Sequence, residues 1–134
     1  MALIDTQRFI RTHFFFAARI AGTRILSCTR SPTPLSDVGA VDVGMNAIVM
    51  ELRGLDRGEH DLLLDLRAEV PAENDDVQQH YRERRVELIQ DFPRAAVLST
   101  FSSERDHLTA AGERLRLEVR AFYDEQVAFR WLRG

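Results

Sequence analysis

Leu62-Leu63-Leu64-Asp65-Leu66 is the stretch on which the fold turns. Four leucines broken only by Asp65 make a short apolar run suited to a central strand with both faces covered, so helices are expected on either side of it. Upstream, Val38, Val41, Met45, Ile48, Val49 and Leu52 recur at spacings of three and four, which places them on one face of a helix. Ser36 or Asp37 opens that helix and Gly54 ends it. Gly39 and Gly44 lower its helix propensity by about 1 kcal/mol each, and close backbone packing is one reason to keep them.

Downstream, Asn74-Asp75-Asp76 follows Pro71 and offers capping oxygens and negative charge where a helix start favours both. This second helix is expected to run to about Asp91, before Pro93. Ala95-Ala96-Val97-Leu98 reads as the next strand, and Ser102 or Ser103 caps a third helix ending near Gly112. Leu115, Leu117, Val119 and Ala121 alternate with Arg116, Glu118 and Arg120 as in a half-exposed edge strand. Asp124 caps a last helix whose apolar face is Val127, Ala128, Trp131 and Leu132.

Toward the N-terminus, His13 to Arg19 and Thr23 to Arg30 form a hairpin around Ala21-Gly22, stopped by Ser31-Pro32-Thr33-Pro34. The order β-β-α-β-α-β-α-β-α predicts an α/β fold, a mostly parallel mixed sheet of about five strands flanked by four helices. Residues 1–134 read as one domain, with 1–12 less ordered.

Composition narrows the function. The 134 residues are 45% hydrophobic and 29% charged, the balance of a globular chain. All 18 basic residues are arginine, which excludes Schiff-base and phosphate-loop lysines. A net charge of −3 argues against a nucleic-acid surface. No window approaches the roughly 18 apolar residues of a membrane helix, so an integral membrane protein is not expected. Cys28, the only cysteine, cannot form an intrachain disulfide, and a cytoplasmic location fits best.

No catalytic constellation, metal site or cofactor is expected. His13, His60, His80 and His107 lie apart without metal-ligand spacing, and His80 reads as part of a polar helix face. Cys28 reads as a small buried hydrophobe. Asp65 and Asp75 fall near the carboxyl edge of the sheet, where open α/β folds place their sites. An enzyme would require a cleft gathering Asp65, Glu73 and His107. The second helix carries the main anomaly: Val77, Tyr81, Leu88 and Phe92 form an apolar stripe that Arg84 interrupts, with Arg82 and Arg85 alongside. Arginine suits surfaces where a guanidinium meets a carboxylate or a ring, so Asn74, Asp75, Asp76, Tyr81, Arg84 and Arg85 form a candidate interaction face for a protein partner or for self-association. A second reading, a carrier or sensor of a small apolar ligand or lipid, rests on Phe14-Phe15-Phe16 with Met45 and Met50 as a cavity lining.

From about Thr23 to Leu132 the chain resembles the STAS, or anti-sigma-factor-antagonist (SpoIIAA-like), domains, of the lone-domain bacterial type. The resemblance is carried by Leu63-Leu64-Asp65-Leu66-Arg67, Ala95-Ala96-Val97-Leu98, and Val119-Arg120-Ala121-Phe122-Tyr123-Asp124-Glu125 leading to Trp131-Leu132. It implies a regulatory, non-enzymatic module whose partner is an anti-sigma-factor-like kinase or another regulator. Lipid-binding relatives of the fold support the carrier reading. In phosphorylated members a serine at the start of the second helix accepts phosphate. That place falls at Glu73, Asn74 and Asp75 here, and no Ser or Thr stands between Asp65 and Asp91. Asp75 and Asp76 could supply permanently the charge that phosphate adds.

Overall fold

The computed structural model describes the backbone of residues 4–12 and 14–134, and the side chains of residue 12 and residues 14–134. Six strands form one sheet in sequence order. They are β1 (Ile4–Arg11), β2 (Phe15–Ile20), β3 (Ile25–Arg30), β4 (Asp61–Asp65), β5 (Ala95–Leu98) and β6 (Val119–Phe122). The first two pairings are antiparallel and the last three parallel. The helices are α1 (Val38–Arg53), α2 (Asp75–Arg85), α3 (Ser102–Leu115) and α4 (Glu125–Arg133).

This sheet has one strand more than its sequence suggests. Residues 4–11 of the segment expected to be less ordered pair with β2 as β1, while residues 1–3 and His13 lie outside the described residues. The hairpin of β2 and β3 turns at Gly22, whose φ of 77° glycine adopts without steric cost.

Handedness fixes the layers. Three successive crossovers step the same way along the sheet, so right-handed connections put α1, α2 and α3 on one face and leave α4 to cover the other. Strand alternation divides the core accordingly. Leu62, Leu64, Ala95 and Val97 pack with Val41, Met45, Ile48, Tyr81 and Leu108, whereas Leu63 and Ala96 pack with Ala128 and Leu132. Leu62 to Leu64 is therefore covered on both faces, as the leucine run requires.

Local chemistry sets most boundaries. Asp37 caps α1, its Oδ1 accepting from the Ala40 amide at 2.7 Å, and Gly54 closes it. A Cβ on Gly44 would stand 2.1 Å from a Phe14 ring carbon, so close packing accounts for that glycine; at Gly39 it would meet only the Asp37 carboxylate. Asn74 caps α2, but the helix ends at Arg85 and continues as a 3-10 turn, Val86–Leu88, short of Asp91. Asp91 itself has a positive φ of 71°, a conformation aspartate tolerates better than most residues.

Two expectations for α3 are corrected. It begins at Ser102 without a side-chain cap, and it ends at Leu115 with Arg116, not Gly112, in the left-handed conformation. Gly112 lies inside the helix, where a methyl would come within 2.8 Å of Val119 Cβ and close packing accounts for the glycine. The last strand accordingly starts at Val119 rather than Leu115. Asp124 caps α4 as expected, but of its predicted apolar face Val127 points outward, at 40% exposure. The Arg94 and Arg120 guanidinium groups lie 5.5 and 5.6 Å from the centre of the Trp131 ring.

Cys28 on β3 is fully buried, and burial pushes its thiol up to about 12. A thiol at that value supplies almost no thiolate near neutral pH. Native protein is expected to resist alkylation by iodoacetamide at pH 8 and to react fully once unfolded in urea. Rapid labelling of the folded chain would contradict this placement.

Candidate functional site

The carboxyl ends of the parallel strands converge on one edge of the molecule, and a lattice of buried charge lies behind it. Glu69, in the loop after β4, accepts a hydrogen bond from the Tyr81 hydroxyl and one from Arg85 Nη1 at 2.7 Å. Arg85 also lies 3.0 Å from Glu104 of α3, and Glu104 in turn binds Arg82 Nη2 at 2.5 Å. Arg85 and Tyr81 are 0% and 1% exposed. Tyr81 is flanked by two guanidinium groups, Arg85 at 5.2 Å and Arg30 at 5.6 Å from its ring centre. Arg30, also fully buried, donates to the Ser31 and Thr33 carbonyls.

Neighbouring charges decide the ionisation of Arg85 and Glu104. Burial opposes the charge on Arg85, but the nearby Glu69 carboxylate, with Tyr81 and Glu104, holds it above its ordinary value. Burial likewise opposes the Glu104 charge, and Arg82 and Arg85 hold that carboxyl below the usual range. Burial and the Glu69 charge raise the Tyr81 phenol, so it stays a donor.

His107, half-buried on α3, sits at the margin of the lattice. Burial first, then the Arg85 charge, holds it below its ordinary value. The folded protein therefore takes up this proton less readily than the unfolded chain, whose histidine titrates at about 6.5. The associated stability is complete above that value and is lost as pH falls toward the lower folded value. Urea unfolding of His107→Gln is expected to show a shallower loss of stability between about pH 7 and 5 than the parent; identical slopes would contradict the assignment.

The predicted interaction residues separate into an outward and an inward set. Asn74 accepts from the amides of Asp76 and Val77 at 2.8 and 3.3 Å, and Asp75 and Asp76 follow it, exposed, in the first turn. Tyr81 and Arg85 are corrected: they are interior residues that an approaching partner would not touch. The buried stripe runs Val77, Tyr81, Arg85, Leu88 at helical spacing, so the arginine within it is Arg85 rather than Arg84. Arg84 instead clamps α2 to α1, donating to Asp42 at 2.8 Å and Asn46 at 2.7 Å and pairing with Glu87. His80 joins the same clamp through Asp42, 2.7 Å away. Hydrogen bonds from His80 and Arg84 hold the Asp42 carboxyl below its ordinary range.

Other candidates are occupied structurally. Asp65 ends β4 at the carboxyl edge, where Arg67 grips it through Nε at 3.0 Å and Nη2 at 2.8 Å. Phe14, Phe15 and Met45 fill the core, and Met50 stands at 72% exposure. Met50 borders an open groove of about 210 Å3 between α1 and α2, shared with Asn46, Val49, Arg53, Arg84 and Glu87. The predicted cavity lining is thus dispersed between core and surface. Among the described residues no group of three histidine, cysteine or acidic side chains could hold a metal ion, and no helix is long and apolar enough to cross a membrane.

The sequence does not mark Glu69, Glu104 or Arg30 as site residues. Their partners lie in separate elements, so no local spacing marks them. The one available signal was Arg85 itself, four residues beyond Tyr81 and eight beyond Val77: a guanidinium on the core line of a helix requires buried acceptors.

No family model matches the chain, and no curated protein does. Among solved structures it is similar to a protein of the DUF3478 family with a SpoIIAA-like fold from Shewanella loihica PV-4. The two share 15% identity at a TM-score of 0.55, over 98% of this chain and 93% of the other. The fold is SpoIIAA-like.

Proposed function

We propose that this protein is a non-enzymatic regulatory module of the cytoplasm that binds another protein at the carboxyl edge of its sheet, around the start of α2, in the manner of an anti-sigma-factor antagonist without a phosphoacceptor. The observation that carries the reading is the state of the carboxylates at that edge. Asp65 is bound by Arg67, and Glu69 and Glu104 by Arg85, whereas Asp75 and Asp76 stand exposed behind their Asn74 cap. Groups that could do acid–base work are held in ion pairs, and the groups left free are suited to recognition.

Native mass spectrometry of the protein purified at low salt from its own cells tests this. The reading expects a stoichiometric protein partner that is lost from the Asp75→Arg/Asp76→Arg variant. A bare monomer, or a chain carrying lipid in place of protein, would overturn it. Asp75→Asn/Asp76→Asn separates capping from phosphate mimicry: weakened binding at unchanged stability supports the mimic, and unchanged binding removes it.

A further inference from the structure

The loops that follow β4, β5 and β6 meet at the carboxyl edge. Leu66 donates to the Leu98 carbonyl at 2.8 Å and Ser99 to the Phe122 carbonyl at 3.1 Å, while Arg67 reaches Glu125 at 3.5 Å across the intervening loop. Each loop exposes one large apolar side chain: Val70 at 44%, Phe101 at 44% and Tyr123 at 67%. Tyr123 is steadied by Arg105, whose guanidinium lies 5.7 Å from its ring and donates to the Ser99 carbonyl at 2.8 Å.

Charge around these three is one-sided. Through the loops and the helix starts they lead into, Glu73, Asp75, Asp76, Asp124 and Glu125 are exposed carboxylates, against the exposed Arg67 and the half-exposed Arg105 beside Tyr123. Arg67 is already shared between Asp65 and Glu125. The helix-start amides that would otherwise attract anions are partly met by Asn74 and Asp124 side chains. The edge therefore presents apolar anchors in a negative field, whereas the whole chain is only mildly acidic.

Resting on the interaction-module reading, we infer that Val70, Phe101 and Tyr123, with the exposed carboxylates of Glu73, Asp75, Asp76 and Asp124 on the same loops and helix starts, receive a basic amphipathic segment of the partner protein. Apolar anchors supply the buried area and opposite charge supplies steering and register. A second copy docking edge to edge would set like charges against each other, so this edge selects a different chain.

The probe is a synthetic amphipathic peptide of arginine, leucine and alanine, titrated into the labelled full chain while backbone amide shifts are followed. A counterpart with glutamate for arginine serves as control. Expected are shifts at 67–76, 99–105 and 122–127, binding that weakens about tenfold as salt rises from roughly 0.05 to 0.3 M, and no binding of the acidic peptide. Phe101→Ser/Tyr123→Ser should weaken it at least about tenfold without changing its salt dependence. Equal binding of both peptides, shifts confined to α1, or indifference to the Phe101 and Tyr123 changes would overturn the inference. If native mass spectrometry finds a partner whose binding survives these changes, the module reading stands and this surface falls. If it finds no partner, that reading falls on its own evidence.

Discussion

Arg85→Met is expected to lower the free energy of unfolding by about 3–5 kcal/mol, measured by urea denaturation at neutral pH. The side chain is fully buried and pairs with Glu69 and Glu104, which are themselves nearly inaccessible. Removing the cation leaves Glu69 with only the Tyr81 hydroxyl and Glu104 with Arg82. A carboxylate stranded in a poorly solvated site costs far more than an exposed ion pair contributes. Adding Glu69→Gln should recover a large part of the loss, because a neutral amide oxygen still accepts from Tyr81 and needs no counter-charge. A loss below about 1 kcal/mol would be the response of a solvent-exposed arginine and would return Arg85 to the candidate interaction face.

Gly44→Ala is expected to destabilise the protein by about 1–3 kcal/mol, although alanine is the better helix former by about 1 kcal/mol. The new methyl would stand 2.1 and 2.4 Å from two carbons of the Phe14 ring. That ring cannot retreat freely, since Phe14 is 4% exposed and lies 5.1 Å from the buried Arg30 guanidinium. Phe14→Leu in the same chain should relieve the clash and return part of the loss. A stabilising Gly44→Ala would show that α1 does not approach the N-terminal strands so closely.

These two positions show how far the sequence could be read. Leu62 to Leu66 announced a doubly covered strand because burial on both faces suppresses the usual polar alternation. Asp37, Asn74 and Asp124 announced helix starts because a side-chain acceptor one turn ahead of unpaired amides is a local requirement. The end of α3 is not legible at Gly112, because the left-handed residue is Arg116 and Gly112 answers a contact with Val119 on another element. The site was legible in part for the same reason. Asn74 to Asp76 is a contiguous signal, whereas the pairing of Glu69, Arg85 and Glu104 exists only after three segments have folded together. Phe101 and Tyr123 belong to no periodic pattern, and only their exposure at neighbouring loops marks them.

Buried charge holds in place the loop from Leu66 to Asn74, which leads into the proposed binding edge. Within the loop from Leu66 to Asn74, the Glu69 amide donates to the Leu66 carbonyl at 3.1 Å and the Ala72 amide to Gln78 at 2.8 Å. Native-state amide exchange of the Glu69→Gln variant against the parent tests this directly. The expected result is exchange at least about tenfold faster at Glu69 and Ala72, with the α4 amides unchanged. Unaltered protection in that loop, or a uniform acceleration throughout the chain, would contradict it.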